Sequence, residues 1–178
     1  MNNKKDTLER AANLSPRVAT WYSQMEKVRK RLLEKVEKIA DKALDFTPKE
    51  RNFETIGTLL LHIAAVEWSW IFEDIDGKEM DFEEWKYAFA LRPSVNLPQL
   101  TGQGKQFYLN RLHKVRDEVY QRLIRLDDQD LDQIIEDSSG YQVSIEWILF
   151  HIIEHEAMHV GQIGMLSRLY NLQTEKDA

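Results

Sequence analysis

Hydrophobic positions along this chain recur at intervals of three and four, the spacing of one face of an α-helix, and four long stretches carry that period. In the first, Val18, Trp21, Tyr22, Met25, Val28, Leu32, Val36 and Ile39 form a single stripe. Ser15 stands where an N-cap belongs, Pro16 suits the first helical position, and Pro48 lies past the end. Together they predict a helix from about Ser15 to Asp45. The second stretch, Phe53 to Ile75, puts Leu59, Ile63, Val66 and Trp70 on an inward face, and Gly77 stops it. The third runs from about Gln99 to Leu126 through Phe107, Leu112, Val115, Val119 and Leu123. The fourth starts at Ser144, a second candidate cap, and continues to about Asn171.

The connections complete the picture. Residues 76–98 read as an irregular crossing with a short aromatic helix from Glu83 to Ala90, bounded by Pro93 and Pro98. The polar stretch from Asp127 to Val143, with Ser138, Ser139 and Gly140, reads as a turn, and no strand pattern competes with helix. The expected fold is all-α: an antiparallel four-helix bundle with one longer crossover connection carrying a short extra helix. With no repeat and no linker, residues 1–178 are expected to form one domain, with 1–13 flexible or peripheral and 172–178 a tail.

Composition changes the picture in three ways. Only 7 Gly and 4 Pro among 178 residues favour helix. The absence of cysteine excludes disulfides, thiolate zinc sites and a cysteine nucleophile. A net charge of -6 disfavours a nucleic-acid partner, since phosphate binding needs a concentrated basic face. The basic residues Lys27, Arg29, Lys30, Arg31, Lys35 and Lys38 are interleaved with Glu26, Glu34 and Glu37, and read as a solvated helix face. Met1 to Arg10 is polar, and no uninterrupted apolar run approaches the ~20 residues of a membrane span. The cytoplasm is the expected compartment, with no membrane partner.

The chemistry concentrates in histidine. His113 lies among Arg111, Lys114 and Arg116 and is expected on an outer face. His151, His155 and His159 follow at intervals of four, so they share one stripe of the last helix. Ile148, Ile152, Gln162 and Leu166 lie within about 60° of His155 on the helical wheel, which makes that stripe the inward one. A lone inward histidine is most often a satisfied core residue. Stacked histidines in an apolar core with few carboxylates are better served by a cation that accepts several lone pairs at once. His155 and His159 form a two-point clamp on one helix. His62, on the apolar second helix, is the available third ligand. Three nitrogens with a fourth position open describe a catalytic zinc-type site, and nickel, iron or cobalt accept the same ligands.

His155-Glu156-Ala157-Met158-His159 also fits H-E-x-x-H, in which Glu156 would be the general base. The extended form of that motif needs Gly and His where this chain has Gln162 and Met165. Glu156 therefore stays a candidate base without the protease assignment.

The segment Leu149 to Ile163, with its three spaced histidines and Gly161-Gln162, resembles the last-helix motif of the DinB-like, YfiT-like family of metal-binding proteins. Ile56 to Glu67, around His62, resembles that family's second-helix motif. The resemblance implies that His62, His155 and His159 are the ligands of one divalent transition metal, zinc or nickel first, with His151 outside the ligand set. It implies a metal-dependent enzyme, first a thiol-dependent S-transferase acting on a small-molecule substrate with a low-molecular-weight thiol, and a homodimer. A hydrolase with Glu156 or Glu73 as base is the alternative, and a non-catalytic metal-binding or dimerising bundle is the third. Phe82, Trp85, Tyr87 and Phe89 in the crossing are expected mainly to pack, or else to line a pocket mouth or partner surface.

Overall fold

Proline in its first turn starts helix α1 at Pro16, and the helix runs to Glu37. The structure, a computed structural model, describes residues 7–48, 54–89, 98–137 and 140–176. Phe53, Ala90, Pro93, Ser138 and Ser139, expected from their residue types at boundaries or turns, lie outside the described residues. Ser15 is the N-cap by position, but its hydroxyl donates to the Leu126 carbonyl at 3.3 Å. The first-turn amide of Arg17 is accepted instead by Asp128 Oδ1 at 2.8 Å. Helix α1 ends earlier than expected because Ala40 is extended (ψ 142°), after which a 3₁₀ turn at Asp41–Asp45 carries Ala43 and Leu44 into the core.

Helix α2 (Ile56–Trp68) is capped by Thr55, whose Oγ1 accepts the Thr58 amide at 3.0 Å. It continues as a π-helical segment, Ser69–Ile75, and stops at Gly77, whose φ of 66° suits glycine alone. Ile56–Ile75 is long and apolar enough to cross a membrane by length and composition only, and most of it is buried inside the fold as a core helix. The aromatic crossing holds the short helix α3 (Phe82–Trp85) and a 3₁₀ turn at Lys86–Phe89. Trp85 is buried, Tyr87 and Phe89 pack against the core, and Phe82 is exposed. Helix α4 (Lys105–Leu123) begins later than the periodicity predicts. Gly102, at φ 75°, donates its amide to Asp45 Oδ2 at 2.8 Å, and Gly104 is the N-cap.

The stretch before the last helix departs from the sequence expectation. Strands β1 (Ile134–Glu136) and β2 (Gln142–Ser144) pair antiparallel, Ile135 opposite Val143. The β-branched Ile134, Ile135 and Val143 carry it, with Ile135 and Val143 resting on the core. Helix α5 (Ile145–Lys176) then takes Ser144 as its cap, the Trp147 amide donating to Ser144 Oγ at 3.1 Å. It runs to Lys176, through most of what the sequence suggested was a tail.

Side-chain pairs fix the helix directions. Arg17 reaches Glu146 and Arg29 reaches Glu156, so α1 and α5 run parallel. Glu67 meets Arg116 and Asp76 meets Arg122, so α2 and α4 run parallel the other way. The α2/α5 pair is antiparallel, with Trp70 beside Trp147 and His62 beside His155. So is α1/α4, with Arg29 on the Leu112 carbonyl and Lys105 on that of Glu37. Parallel α2 and α4 require the chain to travel back along the bundle between them, which is why the connection at 76–104 is long.

Gly57 marks the tightest α2/α4 contact: a Cβ there would meet the Tyr108 hydroxyl and ring. Tyr108 is fully buried, and its hydroxyl has no hydrogen-bond partner among the described residues. Gly57→Ala is therefore expected to destabilise the fold by ~1–3 kcal/mol despite the gain in helix propensity, and Gly57→Ala with Tyr108→Phe to recover part of the loss. Guanidinium denaturation of the two variants measures both.

Candidate metal centre

Three imidazoles meet at the α2/α5 contact. His62 comes from the middle of α2, and His155 and His159 from successive turns of α5. His155 Nε2 lies 3.1 Å from His62 Nε2 and 3.0 Å from His159 Nε2. One ligand atom from each residue lies within 4.8 Å of the others.

The outer nitrogens settle which way the rings present themselves. His62 Nδ1 stands 3.0 Å from the Ala88 carbonyl, an acceptor only, so Nδ1 carries the proton and donates. His159 Nδ1 donates likewise to Gln162 Oε1 at 2.6 Å. Both rings thus turn an Nε2 lone pair toward His155 Nε2. A single Nε2–H on His155 can donate to one of them, and the other contact is then left with no proton between its two nitrogens. A cation resolves the conflict. Nitrogens bound at ~2.1 Å around one ion stand ~3.0–3.4 Å apart for octahedral to tetrahedral angles, close to the separations found here. The residues fit a divalent metal, and Ala88 and Gln162 are the outer partners that fix ring orientation.

Burial keeps two of the donors neutral. His155 is pushed down to about 2, first by burial and then by His159, His62 and His151 around it. His159 is also lowered by burial, opposed by its bond to Gln162 and by Glu54.

His151, on the same stripe, takes another role. Its ring stacks on Trp147 at 5.0 Å and 4° and meets Trp70 edge-on at 5.2 Å, forming an aromatic wall one turn from His155. Burial lowers it as well. Glu73, eleven residues beyond His62, accepts the Ser69 hydroxyl at 2.6 Å and does not join the cluster. Gln162 is exposed and engaged with His159 Nδ1 rather than directed inward, and His113 is exposed.

Glu156 is placed differently from the general base expected of it. It is buried, its Oε1 accepting Arg29 Nε at 2.7 Å and its Oε2 accepting Arg29 Nη2 at 3.2 Å and Arg116 Nη2 at 3.0 Å. Glu67 completes the group, accepting Arg29 Nη2 and Arg116 Nε, each at 2.6 Å. Two arginines and two glutamates, one from each long helix, thus close a buried network, with Arg29 Nη1 on the Leu112 carbonyl and Arg116 Nη1 on Glu26. Burial alone would raise the Glu67 carboxyl, but Arg116 and Arg29 beside it outweigh burial and hold it below its usual range. Arg29 and Arg116, read from the sequence as surface charges, are core residues. The signal was present: Arg29 lies four after Met25 and three before Leu32, and Arg116 four after Leu112 and three before Val119.

Removing one member leaves a buried charge without its counterion. Arg29→Met is expected to cost ~3–5 kcal/mol in chemical denaturation. Arg29→Met with Glu156→Leu, which leaves the balanced Arg116–Glu67 pair, should cost less than the single change. A second expectation concerns acid. His151, His155 and His159 have folded values below the unfolded 6.5. Below that pH the unfolded chain takes up protons that the folded chain does not, so stability is lost as pH falls. The melting temperature of the metal-free protein should drop between pH 7 and 5, above the window in which Glu67 protonates, and His155→Ala should flatten that slope.

Comparison with known proteins bears on the fold and the family. No curated protein sequence matches the chain. Among solved structures, a conserved protein from Enterococcus faecalis aligns over 84% of this chain and 94% of its own, with 15% identity and a TM-score of 0.64. YfiT from Bacillus subtilis, described as a probable metal-dependent hydrolase with an unusual four-helix bundle topology, aligns over 94% and 93%, with 20% identity and a TM-score of 0.63. At these identities the likeness is one of fold. The model of the DinB superfamily matches residues 24–163, a span that includes all three histidines and the whole buried network, and the chain belongs to that superfamily.

Proposed function

We propose that this protein is a metal-dependent enzyme that activates a nucleophile at the coordination position its three histidines leave open, and that the nucleophile is the sulfur of a low-molecular-weight thiol. The observation that carries the reading is the convergence of the His62, His155 and His159 Nε2 atoms, two of them aimed by Nδ1–H donors. A divalent ion of the zinc or nickel kind, when bound, supplies Lewis acidity that favours the deprotonated form of a thiol or a water. Around it the chain holds His155 and His159 neutral by burial, and walls one side with Trp70, Trp147 and His151. Glu156 is committed to Arg29 and Arg116 and so is withheld from proton transfer. That favours a nucleophile that needs no carboxylate base, and with no cysteine in the chain the sulfur arrives with a co-substrate.

A second reading is favoured by the likeness to YfiT, described as a probable metal-dependent hydrolase. Water would then be the nucleophile.

The test is turnover of a soft electrophile by the protein reconstituted with zinc or nickel, with and without glutathione, bacillithiol or mycothiol. Turnover that requires the thiol is expected. Loss of His62, His155 or His159 to Ala should reduce both metal content and turnover at least ~10-fold, while His151→Ala keeps the metal. Ester or amide hydrolysis without any thiol would replace the transferase reading with the hydrolase. No turnover, together with large destabilisation on chelation, would assign the ion a structural role.

A further inference from the structure

Along α5, rings follow one another turn by turn from solvent to the histidine cluster. Trp147, His151, His155 and His159 are spaced at i, i+4, and each ring meets the next, with centroids 5.0, 6.0 and 4.4 Å apart. Exposure falls along the row. Trp147 is 41% exposed, the His151 side chain 28%, His155 is half-buried, and His159 is 5% exposed. Trp70 crosses from α2 and stands edge-on to the first two rings, at 69° and 70°. It lies in the first turn of the π-helical segment Ser69–Ile75, a wider turn of the kind that recurs at functional sites. Neither the Trp70 nor the Trp147 indole N–H has an acceptor among the described residues, whereas that of Trp21 donates to Glu146 Oε1 at 2.8 Å.

Core packing does not account for this row. Ile148 and Ile152 already fill the inward face of the same turns, while the indole of Trp147 stays largely in water. The row ends on His155, a ligand of the cluster, so whatever lies on its outer rings lies beside the reaction centre. It is also nearly free of charge: the carboxylate of Glu154, 3.9 Å from His151 Nδ1, is itself exposed. Taking the histidine cluster as the enzyme centre proposed above, we infer that the ledge of Trp70, Trp147 and His151 seats a flat, uncharged group of the electrophilic substrate, such as an aromatic ring, while its reactive end reaches the cluster. Stacked and edge-on contacts with indole reward a planar π-system beyond the area it buries. The two indole N–H groups suit a carbonyl or hydroxyl oxygen beside that ring. His151 and Trp147 lie one and two turns from His155, so the flat group and the reactive end are ~6–12 Å apart. Trp147, the outermost ring, selects for flatness.

Binding measured without turnover tests the ledge apart from the chemistry. Unreactive naphthylethanol is titrated into the zinc-loaded protein, and the indole N–H signals of Trp70 and Trp147 are followed by NMR, each identified by its loss in the corresponding Trp→Phe variant. Both signals should shift saturably with a Kd below ~1 mM, and cyclohexylethanol should bind at least ~5-fold more weakly. Trp147→Leu, apolar but not flat, should weaken the naphthyl probe at least ~10-fold with zinc content unchanged, and Trp147→Phe should stay within ~3-fold of wild type. Indole signals unmoved at ~5 mM probe, equal affinity for the cyclohexyl compound, or a Leu variant that binds as wild type does would overturn the inference. So would shifts that follow protein concentration rather than probe, the mark of a second copy covering the ledge. Binding without turnover would sustain the ledge as a ligand site and overturn the enzymatic reading alone. Thiol-dependent turnover without probe binding would overturn the ledge alone.

Discussion

Four charges in a dry place determine how this bundle is assembled. Arg29, Glu67, Arg116 and Glu156 come one from each long helix and meet where water does not reach. In a surface pair, sliding one partner by a residue costs little; here it would strand a buried charge, a penalty of several kcal/mol. Apolar side chains tolerate small shifts because one methyl substitutes for another. Forked guanidiniums on carboxylates do not, because each nitrogen must find its oxygen. The network therefore sets the relative height and rotation of α1, α2, α4 and α5 more sharply than hydrophobic packing alone.

The histidine cluster inherits that precision. Glu156 lies between His155 and His159 on α5, and Glu67 follows His62 by five residues on α2. Locking the two glutamates in the core fixes the adjacent faces of the same helices, so the three rings converge through backbone constraints applied elsewhere. Two polar clusters thus sit side by side with opposite needs. The arginine–glutamate group is neutral as a whole and complete in itself. The histidine group holds His155 and His159 neutral and brings three ring nitrogens to one point, the arrangement that a cation needs.

Much of this was legible in the sequence, and the reasons for the rest are physical. The period of three and four marked out the four long helices, Ser144 behaves as the cap expected of it, and the spacing of His155 and His159 with His62 pointed to the cluster. The β1/β2 hairpin was missed because each strand is three residues long, too short to show alternation. The roles of Arg29 and Arg116 were missed because charge was read as surface, and Glu156 was read as a candidate base because it stands inside an H-E-x-x-H pattern. A stripe that can pass through either Val28 or Arg29 is normally resolved in favour of valine, and only the partner charges on three other helices make arginine the inward choice. Gly102 and Gly104 delayed the start of α4 for the same kind of reason, since a backbone turn tied to Asp45 leaves no mark on hydrophobic periodicity.

The capping of α1 carries a consequence for how the chain comes to be folded. The groups that close its first turn are the Leu126 carbonyl and the Asp128 carboxylate, and Arg17 is held further by Asp132 and Glu146. These partners lie 111 to 129 residues downstream. During synthesis the N-terminal helix therefore emerges long before anything exists to finish it, and its buried Arg29 waits equally long for Glu156. Contacts of such separation make for slow, all-or-none assembly rather than helix-by-helix accretion. On the ribosome, the first half of this protein is an unfinished surface, completed only when the last helix arrives.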